Sequence, residues 1–394
     1  MKEQILFLSN GHGEDLNASL ILQALVQTEP EVAVGAMPLV GAGSAYRRLD
    51  VPIIGPTRSL PSGGIFYMNP LNLVKDLFAG LIGLTWRQVR AVLQYSRRCD
   101  LLVAVGDIVP IAIAHLTGRP YLAFIVSTSS YYEGKLRLPW LTEQCLRSRR
   151  CLKVFTRDAF TAEDLQQQGM TKAVFAGYPI MDVLAPTGKD LQLLPDLPAI
   201  ALLPGSRLPE ALKNLAVQLQ LCGAIAELRP VQFRAALVPS ITEADLQAIA
   251  VQQEWQYQGE GLLVREEAEG TVVVQCYRDA FTDILHQCNL AVGMAGTAVE
   301  QAVGLGKPVV QILGSGPQFT YRFAEAQMRL LGGSVRTIGN QAATPAILQQ
   351  AAREVINILQ NPTYLKSCIE NGKERVGEAG GSSQIALHIR NCIL

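Results

Sequence analysis

Short apolar runs alternate with longer amphipathic stretches along nearly the whole chain. In the first half, the apolar runs predict strands at residues 5–8, 32–35, 51–54, 101–106, 121–125, 153–156 and 173–176. Helical patterns lie between several of these runs, at about residues 15–27 and 109–116. Alternation of strands and helices predicts βαβ units and therefore a mostly parallel sheet.

The segment at residues 184–198 interrupts this rhythm with Pro186, Gly188, Pro195 and Pro198, as an interdomain linker does. Apolar runs then resume and predict strands at residues 199–203, 233–238, 271–274, 290–292 and 308–312. The pattern predicts two α/β domains joined by a linker, followed by a last helix that can pack on either half. The corresponding ranges are 1–185, 186–198, 199–375 and 376–394.

Composition narrows the class of protein. Apolar residues make up 49% and charged residues 17% of the 394 residues, which excludes disorder and favours buried strands. The 34 basic residues balance 34 acidic ones, so no nucleic-acid partner is expected. Eight scattered cysteines without a C-x-x-C pair, and only four histidines, predict neither a metal site nor a disulfide framework. We therefore expect a cytoplasmic protein without a transmembrane helix.

Ligands of parallel sheets bind beyond the carboxyl ends of the strands, so the turns after the strands are the candidate sites. The first turn contains Gly205, Ser206 and Arg207 between a strand and a helix. Gly205 allows backbone to approach an oxyanion, the helix start supplies N–H groups, and Arg207 can bind two phosphate oxygens. Alternatively, Ser206 is an ordinary N-cap and Arg207 a surface residue.

The second turn has Gly293 and Gly296 after a strand and Thr297 at the start of a helix, which makes a second anion-ready helix terminus. Glu300 can accept hydrogen bonds from ribose hydroxyls. Alternatively, Thr297 and Glu300 form a capping box, since they are three residues apart.

The third turn, at residues 314–321, contains Gln318, which can hydrogen-bond sugar hydroxyls. Phe319 and Tyr321 are expected to pack rather than contact a ligand. The three turns follow one another in one half of the chain. Their coincidence favours a phosphate-sugar site, and we expect them to converge on one pyrophosphate.

A polar turn near the N-terminus also follows a strand and opens a helix, but it lacks the glycines of G-x-G-x-x-G and the lysine of a P-loop. It offers titratable groups where a cleft is expected, although its acids can simply be favourable first-turn residues. The candidates in this turn are Gly11, His12, Gly13, Glu14 and Asp15. Asp107 follows the strongest strand and can either cap the next helix or act as a general base.

A membrane-facing surface is predicted in the first half. The apolar segment at residues 77–86 ends in Trp86 and is followed by Arg87, Arg90, Arg97 and Arg98. Such a helix can lie among lipid headgroups, or it can be a buried core helix. A second basic cluster, with Trp140 between its members, can serve a lipid surface or an anionic acceptor, or be a solvated face. Its members are Lys135, Arg137, Arg147, Arg149, Arg150 and Lys153.

These segments resemble the lipid-A-disaccharide synthase family, inverting glycosyltransferases of the two-domain GT-B type. The best-matched parts are residues 202–210, with their Leu-Pro-Gly-Ser-Arg core, and residues 296–300. Gly13 and Glu14, with Asp15 nearby, match the family's Gly-Glu-x-x-x-Asp turn more loosely. The family's Gly-Ile-Asp-x-Pro-Asp segment, which carries its aspartate, is reduced here to the residues around Asp107. A more distant resemblance to the glycosyltransferase that makes lipid II includes a loop comparable to that of Gln318.

The resemblance implies two Rossmann-like domains with mostly parallel sheets facing a central cleft. It implies inverting transfer of a sugar from a UDP-GlcNAc-like donor to a lipid-linked acceptor, without a cofactor, at the inner face of a membrane. Donor contacts are then expected from Gly205, Ser206, Arg207, Gly293, Gly296, Thr297, Glu300 and Gln318. Asp107 or His12 would be the base. The alternatives are a UDP-sugar epimerase or hydrolase, and a non-catalytic paralogue that binds nucleotide sugars.

Overall fold

A computed structural model of the chain describes residues 3–57, 81–267, 270–314, 316 and 319–393. The chain forms two compact units. Unit one consists of Met1–Asp182 together with Glu378–Leu394, and unit two is Val183–Gly377. The division therefore falls at residues 182 and 183, and unit two begins before the predicted linker.

Unit one is built on a parallel sheet whose described strands follow the order β2-β1-β3-β4-β5-β6. Its central strands are fully buried because helices cover the sheet, as their continuous apolar runs predict. The strands are β1 (Gln4–Ser9), β2 (Ala33–Pro38), β3 (Leu101–Val105), β4 (Tyr121–Ile125), β5 (Cys151–Thr156) and β6 (Ala173–Val174). The strand predicted at residues 51–54 is wrong, since only an isolated bridge between Ala36 and Ile53 forms there.

The described helices of unit one are α1 (His12–Thr28), α2 (Ser44–Arg47), α3 (Leu81–Tyr95), α4 (Ile108–Leu116), α5 (Trp140–Arg147), α6 (Ala159–Gln167) and α14 (Gly381–Ile393). Helix α14 packs on α1. The carboxylate of Asp182 accepts hydrogen bonds from the N–H groups of Gly380 and Ser382, which holds the start of α14 in place. The chain therefore returns to unit one after completing unit two.

The predicted membrane segment begins outside the described residues, which include only its part from residue 81 onward. Among the described side chains of α3, Leu84, Gln88 and Val92 are buried, and they share one face of the helix. Trp86 is 69% exposed, so the described part of α3 is amphipathic and lies at the surface of unit one. Within the described ranges, no helix is both long enough and apolar enough to cross a bilayer.

Unit two contains a larger sheet with the strand order β14-β13-β12-β7-β8-β11-β10-β9 among its described residues. It is parallel except at one edge, where β10 pairs antiparallel with both β11 and β9. The strands are β7 (Ala199–Leu203), β8 (Gln232–Ala236), β9 (Gln256–Tyr257), β10 (Leu262–Glu267), β11 (Gly270–Tyr277), β12 (Leu290–Gly293), β13 (Val309–Gln311) and β14 (Val335–Thr337). The sequence pattern missed β9, β10 and β14.

The helices of unit two are α7 (Glu210–Ala226), α8 (Glu243–Gln252), α9 (Phe281–Gln287), α10 (Thr297–Gly304), α11 (Tyr321–Leu331), α12 (Pro345–Leu359) and α13 (Pro362–Arg375). Helix α7 packs against α12, and its buried face adds to the core of this unit. Helices α7 and α10 each begin directly after a parallel strand, so both N-termini lie at the carboxyl edge of the sheet.

One buried carboxylate anchors the irregular segment that leads into unit two. Asp283 on α9 accepts hydrogen bonds from the backbone N–H groups of Thr187, Gly188 and Lys189, and from the Thr187 hydroxyl. Burial tends to raise the pKa of Asp283, but these hydrogen bonds to the ionised form outweigh it and lower the pKa. The predicted linker thus has a fixed path over α9.

We expect Asp283→Ala to lower the free energy of unfolding by about 1–3 kcal/mol, because several donors lose their acceptor. Since the folded-state pKa is lowered, this stabilisation is present above the ordinary aspartate pKa and is lost as the pH falls through the folded-state value. Urea unfolding at neutral and acid pH measures both effects. Asp279→Ala, which removes an exposed ion pair with Lys189, is the control and should have little effect. Equal losses in the two variants would contradict the assignment.

Candidate functional site

The first predicted turn of unit two packs directly against the second. Gly205 has a φ of +104°, in the left-handed region that favours glycine, and a Cβ at this position would lie 3.3 Å from the backbone oxygen of Met294. The N–H of Met294 also donates to the carbonyl oxygen of Leu203, over 2.9 Å. The turns that follow β7 and β12 therefore lie side by side at the carboxyl edge of the sheet.

Asn214, a buried residue in the second turn of α7, joins these turns to the third. Its Nδ2 donates to the carbonyl oxygen of Pro204 over 2.9 Å and to that of Met294 over 3.4 Å. Its Oδ1 lies 2.7 Å from the position that a Cβ on Gly314 would take. Only glycine therefore allows the third turn to approach this amide.

Glu210 makes a second connection between α7 and the third turn. It is the first residue of α7 and is buried, and a side chain on Gly316 would overlap its carboxylate. Glu210 and Asn214 are four residues apart, so they share one face of the helix. These two side chains of α7 thus contact the two glycines of the third turn, Gly314 and Gly316. The described parts of the three turns are therefore neighbours at one edge of the sheet.

Ser206 and Arg207 are exposed at the tip of the first turn. Helix α7 begins at Glu210 with Pro209 as its N-cap, and no side chain caps it. The alternative that Ser206 is an ordinary N-cap is therefore wrong. The long, charged side chain of Arg207 is exposed in the same turn as Gly205.

In the second turn, α10 begins at Thr297 with Gly296 as its N-cap, again without a side-chain cap. The capping box considered for Thr297 and Glu300 is therefore absent, and Glu300 lies half-buried in the first helical turn. Gly293 is buried within β12, where a Cβ would come 2.5 Å from Cγ2 of Val299. Close packing of strand against helix alone accounts for glycine at residue 293.

Of the remaining residues of the third turn, Gln318 lies outside the described residues. Phe319 is buried, with its ring centroid 5.6 Å from that of Phe323, so the prediction that it packs is confirmed. The same prediction for Tyr321 is wrong, because that side chain is 42% exposed.

A separate polar cluster occupies the carboxyl edge of the sheet in unit one. The hydroxyl of Ser9, at the end of β1, donates to Asp15 Oδ1 over 2.6 Å and lies 2.6 Å from the hydroxyl of Tyr46. All three residues are buried. Burial raises the pKa of Asp15 to about 7; the Ser9 hydrogen bond lowers it and the charge of Glu14 raises it. The buried side of α1 therefore carries a carboxyl group, that of Asp15, which changes charge near neutral pH.

Asp107 lies next along the same edge, after β3. Its Oδ1 accepts hydrogen bonds from Asn10 Nδ2 over 2.6 Å and from the N–H of Val109 over 2.8 Å. Asp107 is thus the N-cap of α4, which was one of the two roles considered for it. Burial raises its pKa, although both hydrogen bonds act in the opposite direction.

The other candidates of the N-terminal turn differ in exposure. His12 is exposed, and its ring lies 3.2 Å from the position of a Cβ on Gly41. Gly11 is the N-cap of α1, in extended conformation, and a side chain there would overlap the carboxylate of Glu14. Gly13 has open space around its Cα. The structure thus brings Asp15 and Asp107 to one sheet edge and leaves His12 at the surface beside them.

Sequence reasoning missed Asn214, Ser9 and Tyr46 as parts of these two sites. Asn214 did carry a signal, because Glu210, Asn214 and Gln218 are polar residues spaced four apart, on one buried face of α7. In the described part of the chain, no three His, Cys, Asp or Glu side chains come together as possible metal ligands.

No family model matches the chain. Among relatives, it is 25% identical over 229 residues to a lipid-A-disaccharide synthase of Geobacter sulfurreducens, covering 54% of this chain and 55% of that protein. It is also 25% identical over 417 residues to a lipid-A-disaccharide synthase of Gloeothece citriformis, covering 98% of each. The chain is a distant relative of the lipid-A-disaccharide synthases. It spans little more than half the length of some of them, as in the Geobacter protein.

Solved structures show the same fold. The MurG of Acinetobacter baumannii matches with a TM-score of 0.58 at 15% identity, covering 99% of each chain. A UDP-GlcNAc 2-epimerase of Neisseria meningitidis, solved with UDP-GlcNAc, matches with a TM-score of 0.57 at 11% identity, covering 98% of this chain and 99% of that one. The chain therefore has the GT-B-type α/β fold, which glycosyltransferases share with epimerases.

We expect the buried carboxyl of Asp15 to make the protein less stable as the pH rises. Because the folded state holds this proton up to about pH 7 and the unfolded state releases it near pH 3.8, stability falls between these values. The contribution is roughly 2–4 kcal/mol. Asp15→Asn cannot ionise and should flatten the profile of unfolding free energy against pH, measured in urea. Glu133→Gln, at an exposed carboxylate of the same unit, is the control, and an unchanged profile in Asp15→Asn would contradict the expectation.

Proposed function

We propose that the chain is an inverting glycosyltransferase that moves a sugar from a UDP-sugar resembling UDP-GlcNAc to a lipid-linked acceptor. The observation that supports it most is the contiguity of the three turns around Asn214, in a chain related to the lipid-A-disaccharide synthases. Parallel sheets bind ligands at this edge, and helix N-termini favour anions there.

In this proposal, unit two holds the donor. The diphosphate binds to Arg207 and to backbone N–H groups near Gly205 and Thr297, while Glu300 accepts hydrogen bonds from the ribose. Ser206 contributes its hydroxyl, and the loop of Gln318 contacts the donor sugar. Charge grows on the leaving UDP as the glycosidic bond breaks, and donors already in position stabilise it. The proposal assigns no metal ion or other cofactor to this step.

The acceptor hydroxyl needs a base, and we assign this role to Asp107 or His12 of unit one. The two hydrogen bonds to Asp107 Oδ1 orient the carboxylate, so Oδ2 would be the atom that takes the proton. Burial raises the pKa of Asp107, which brings it closer to the value that suits a general base at neutral pH.

The proposed acceptor is lipid-linked, and unit one has a surface suited to a bilayer. Helix α3 packs on α4, and α4 packs on α5. Trp86 on α3 is 69% exposed, and Trp140 at the start of α5 is 73% exposed. Arg87 and Arg90 are exposed on α3 as well. Exposed tryptophans beside arginines are typical of proteins that lie on anionic lipid, at the inner face of a membrane.

An epimerase or hydrolase is the second candidate, because a UDP-GlcNAc 2-epimerase has the same fold. It would act on a UDP-sugar without any acceptor. A non-catalytic relative would bind UDP and consume no UDP-sugar. Turnover with and without lipid separates these functions.

We expect Arg207→Ala to weaken UDP binding by roughly ten- to a hundredfold in calorimetric titration, since it removes charged hydrogen bonds to phosphate. Arg353→Ala, at an exposed arginine of α12, should bind UDP like the wild type. The wild type should consume UDP-GlcNAc only when a lipid extract is present. Consumption without lipid would establish the second candidate, and unchanged UDP affinity in Arg207→Ala would remove Arg207 from the site.

The protein should sediment with anionic phosphatidylglycerol vesicles, and more strongly at low salt, because exposed arginines bind the lipid surface. The double variant Trp86→Ser, Trp140→Ser should sediment several-fold less, with an unchanged melting temperature. Val251→Ala, at an exposed apolar side chain of unit two, is the matched control. Equal sedimentation of the double variant and the control would contradict a membrane role for this surface.

A further inference from the structure

A row of hydrogen-bonded amides runs through the interior of unit two and ends at the second turn. The Thr337 hydroxyl donates to Gln311 Oε1 over 2.8 Å, and Gln311 Nε2 donates to Gln327 Oε1 over 2.6 Å. Gln327 Nε2 then donates to the carbonyl oxygen of Gly296 over 3.0 Å. Both glutamines are buried. Buried amides with both ends bonded have one defined orientation.

The direction of this row is fixed by its last member. The Gly296 carbonyl can only accept a hydrogen bond, so Gln327 must present its NH₂ group there and its oxygen to Gln311. The same reasoning orients Gln311, whose oxygen then faces the Thr337 hydroxyl. Every donor in the row therefore points toward Gly296.

The last amide of the row is a backbone peptide. Gly296 C=O and Thr297 N–H belong to one trans peptide group, in which the N–H points opposite to the C=O. Thr297 is the first residue of α10, so its N–H has no acceptor within the helix. Two side-chain amides and one peptide are thus aligned head to tail, as the peptides of a helix are, with the Thr297 N–H at the positive end.

This alignment has two physical consequences for the Thr297 N–H. The Gly296 carbonyl accepts the Gln327 amide in addition to the helical N–H groups of Val299 and Glu300. These hydrogen bonds together fix the peptide plane, so the direction of the Thr297 N–H is set before any ligand arrives. Donation to the carbonyl also polarises the peptide and makes its N–H a stronger donor, because chains of hydrogen bonds reinforce one another. The stronger donor favours an anionic acceptor over a neutral one.

We propose that Gln327 and Gln311 are positioning residues that orient and polarise the Thr297 N–H for a phosphate oxygen of the donor nucleotide. This role rests on the proposed function, since it concerns the diphosphate of the same site. Neither glutamine touches the nucleotide. They increase the preference of the site for a phosphorylated nucleoside over the nucleoside alone.

The sequence carried one trace of this row. Gln311 lies in the apolar run at residues 308–312, where a buried glutamine needs polar partners, and it is paired in register with Thr337 on β14. Because β14 itself was not predicted, its partner could not be found from the sequence.

The test compares UDP with uridine, which lacks phosphate, by calorimetric titration of the whole chain. Gln327→Met keeps the side-chain volume but ends the row, and we expect it to weaken UDP binding about tenfold while uridine affinity is unchanged. Thr337→Val removes only the first donor, and we expect a loss of about two- to threefold for UDP. This milder variant keeps the test valid if Gln327→Met fails to fold.

Gln218→Met is the matched control. Gln218 is also a buried glutamine of unit two, and its Nε2 donates to the carbonyl oxygen of Val292 over 3.1 Å, outside the row. It should lower the melting temperature as Gln327→Met does and leave the ratio of UDP to uridine affinity unchanged. An unchanged ratio in both Gln327→Met and Thr337→Val, with UDP bound normally by the wild type, would overturn the inference alone. A wild type that binds neither UDP nor another nucleoside diphosphate would overturn the proposed function and the inference together.

Discussion

The carboxylamide of Asn214 is the constraint on which the site in unit two depends. Two carbonyl oxygens, one from each of two neighbouring turns, share its NH₂ group, and its oxygen faces a glycine of a third. Without one side chain that bonds to both turns, their carbonyls would need separate partners. Asn214 lies within α7, a helix with many buried residues, so packing holds the backbone that carries this amide.

The two units place charge in different ways. In unit two, Arg207 is exposed in the turn before α7, and the N-termini of α7 and α10 lie at the same edge of the sheet, which suits a fixed negative charge. In unit one, two carboxyl groups lie at the carboxyl edge of the sheet, and burial raises the pKa of both. A carboxyl group with a raised pKa keeps its proton to higher pH than a surface carboxylate does. The sheet edge of unit two thus offers a fixed positive charge, whereas that of unit one offers titratable carboxyl groups.

The parallel strands were predictable because buried strands leave short apolar runs, and β7 was found to the residue. The antiparallel pair of β9 and β10 was not, since these strands are short or partly exposed and alternate with polar residues. Glycines in the sequence identified the candidate turns, but the sequence did not show why each position requires glycine. Gly205 needs its backbone angle, whereas Gly293 makes room for Val299. The role of Asn214 could not be predicted without knowing which turns become neighbours in space.

The return of α14 to unit one has a consequence for how the protein is made. Unit two is one continuous stretch of chain and can complete its core while synthesis proceeds. Unit one lacks the helix that packs on α1, and the N–H groups that bind Asp182, until residues 380–393 have left the ribosome. During synthesis, the face of α1 that α14 later covers is therefore exposed at a stage when unit two can already be folded.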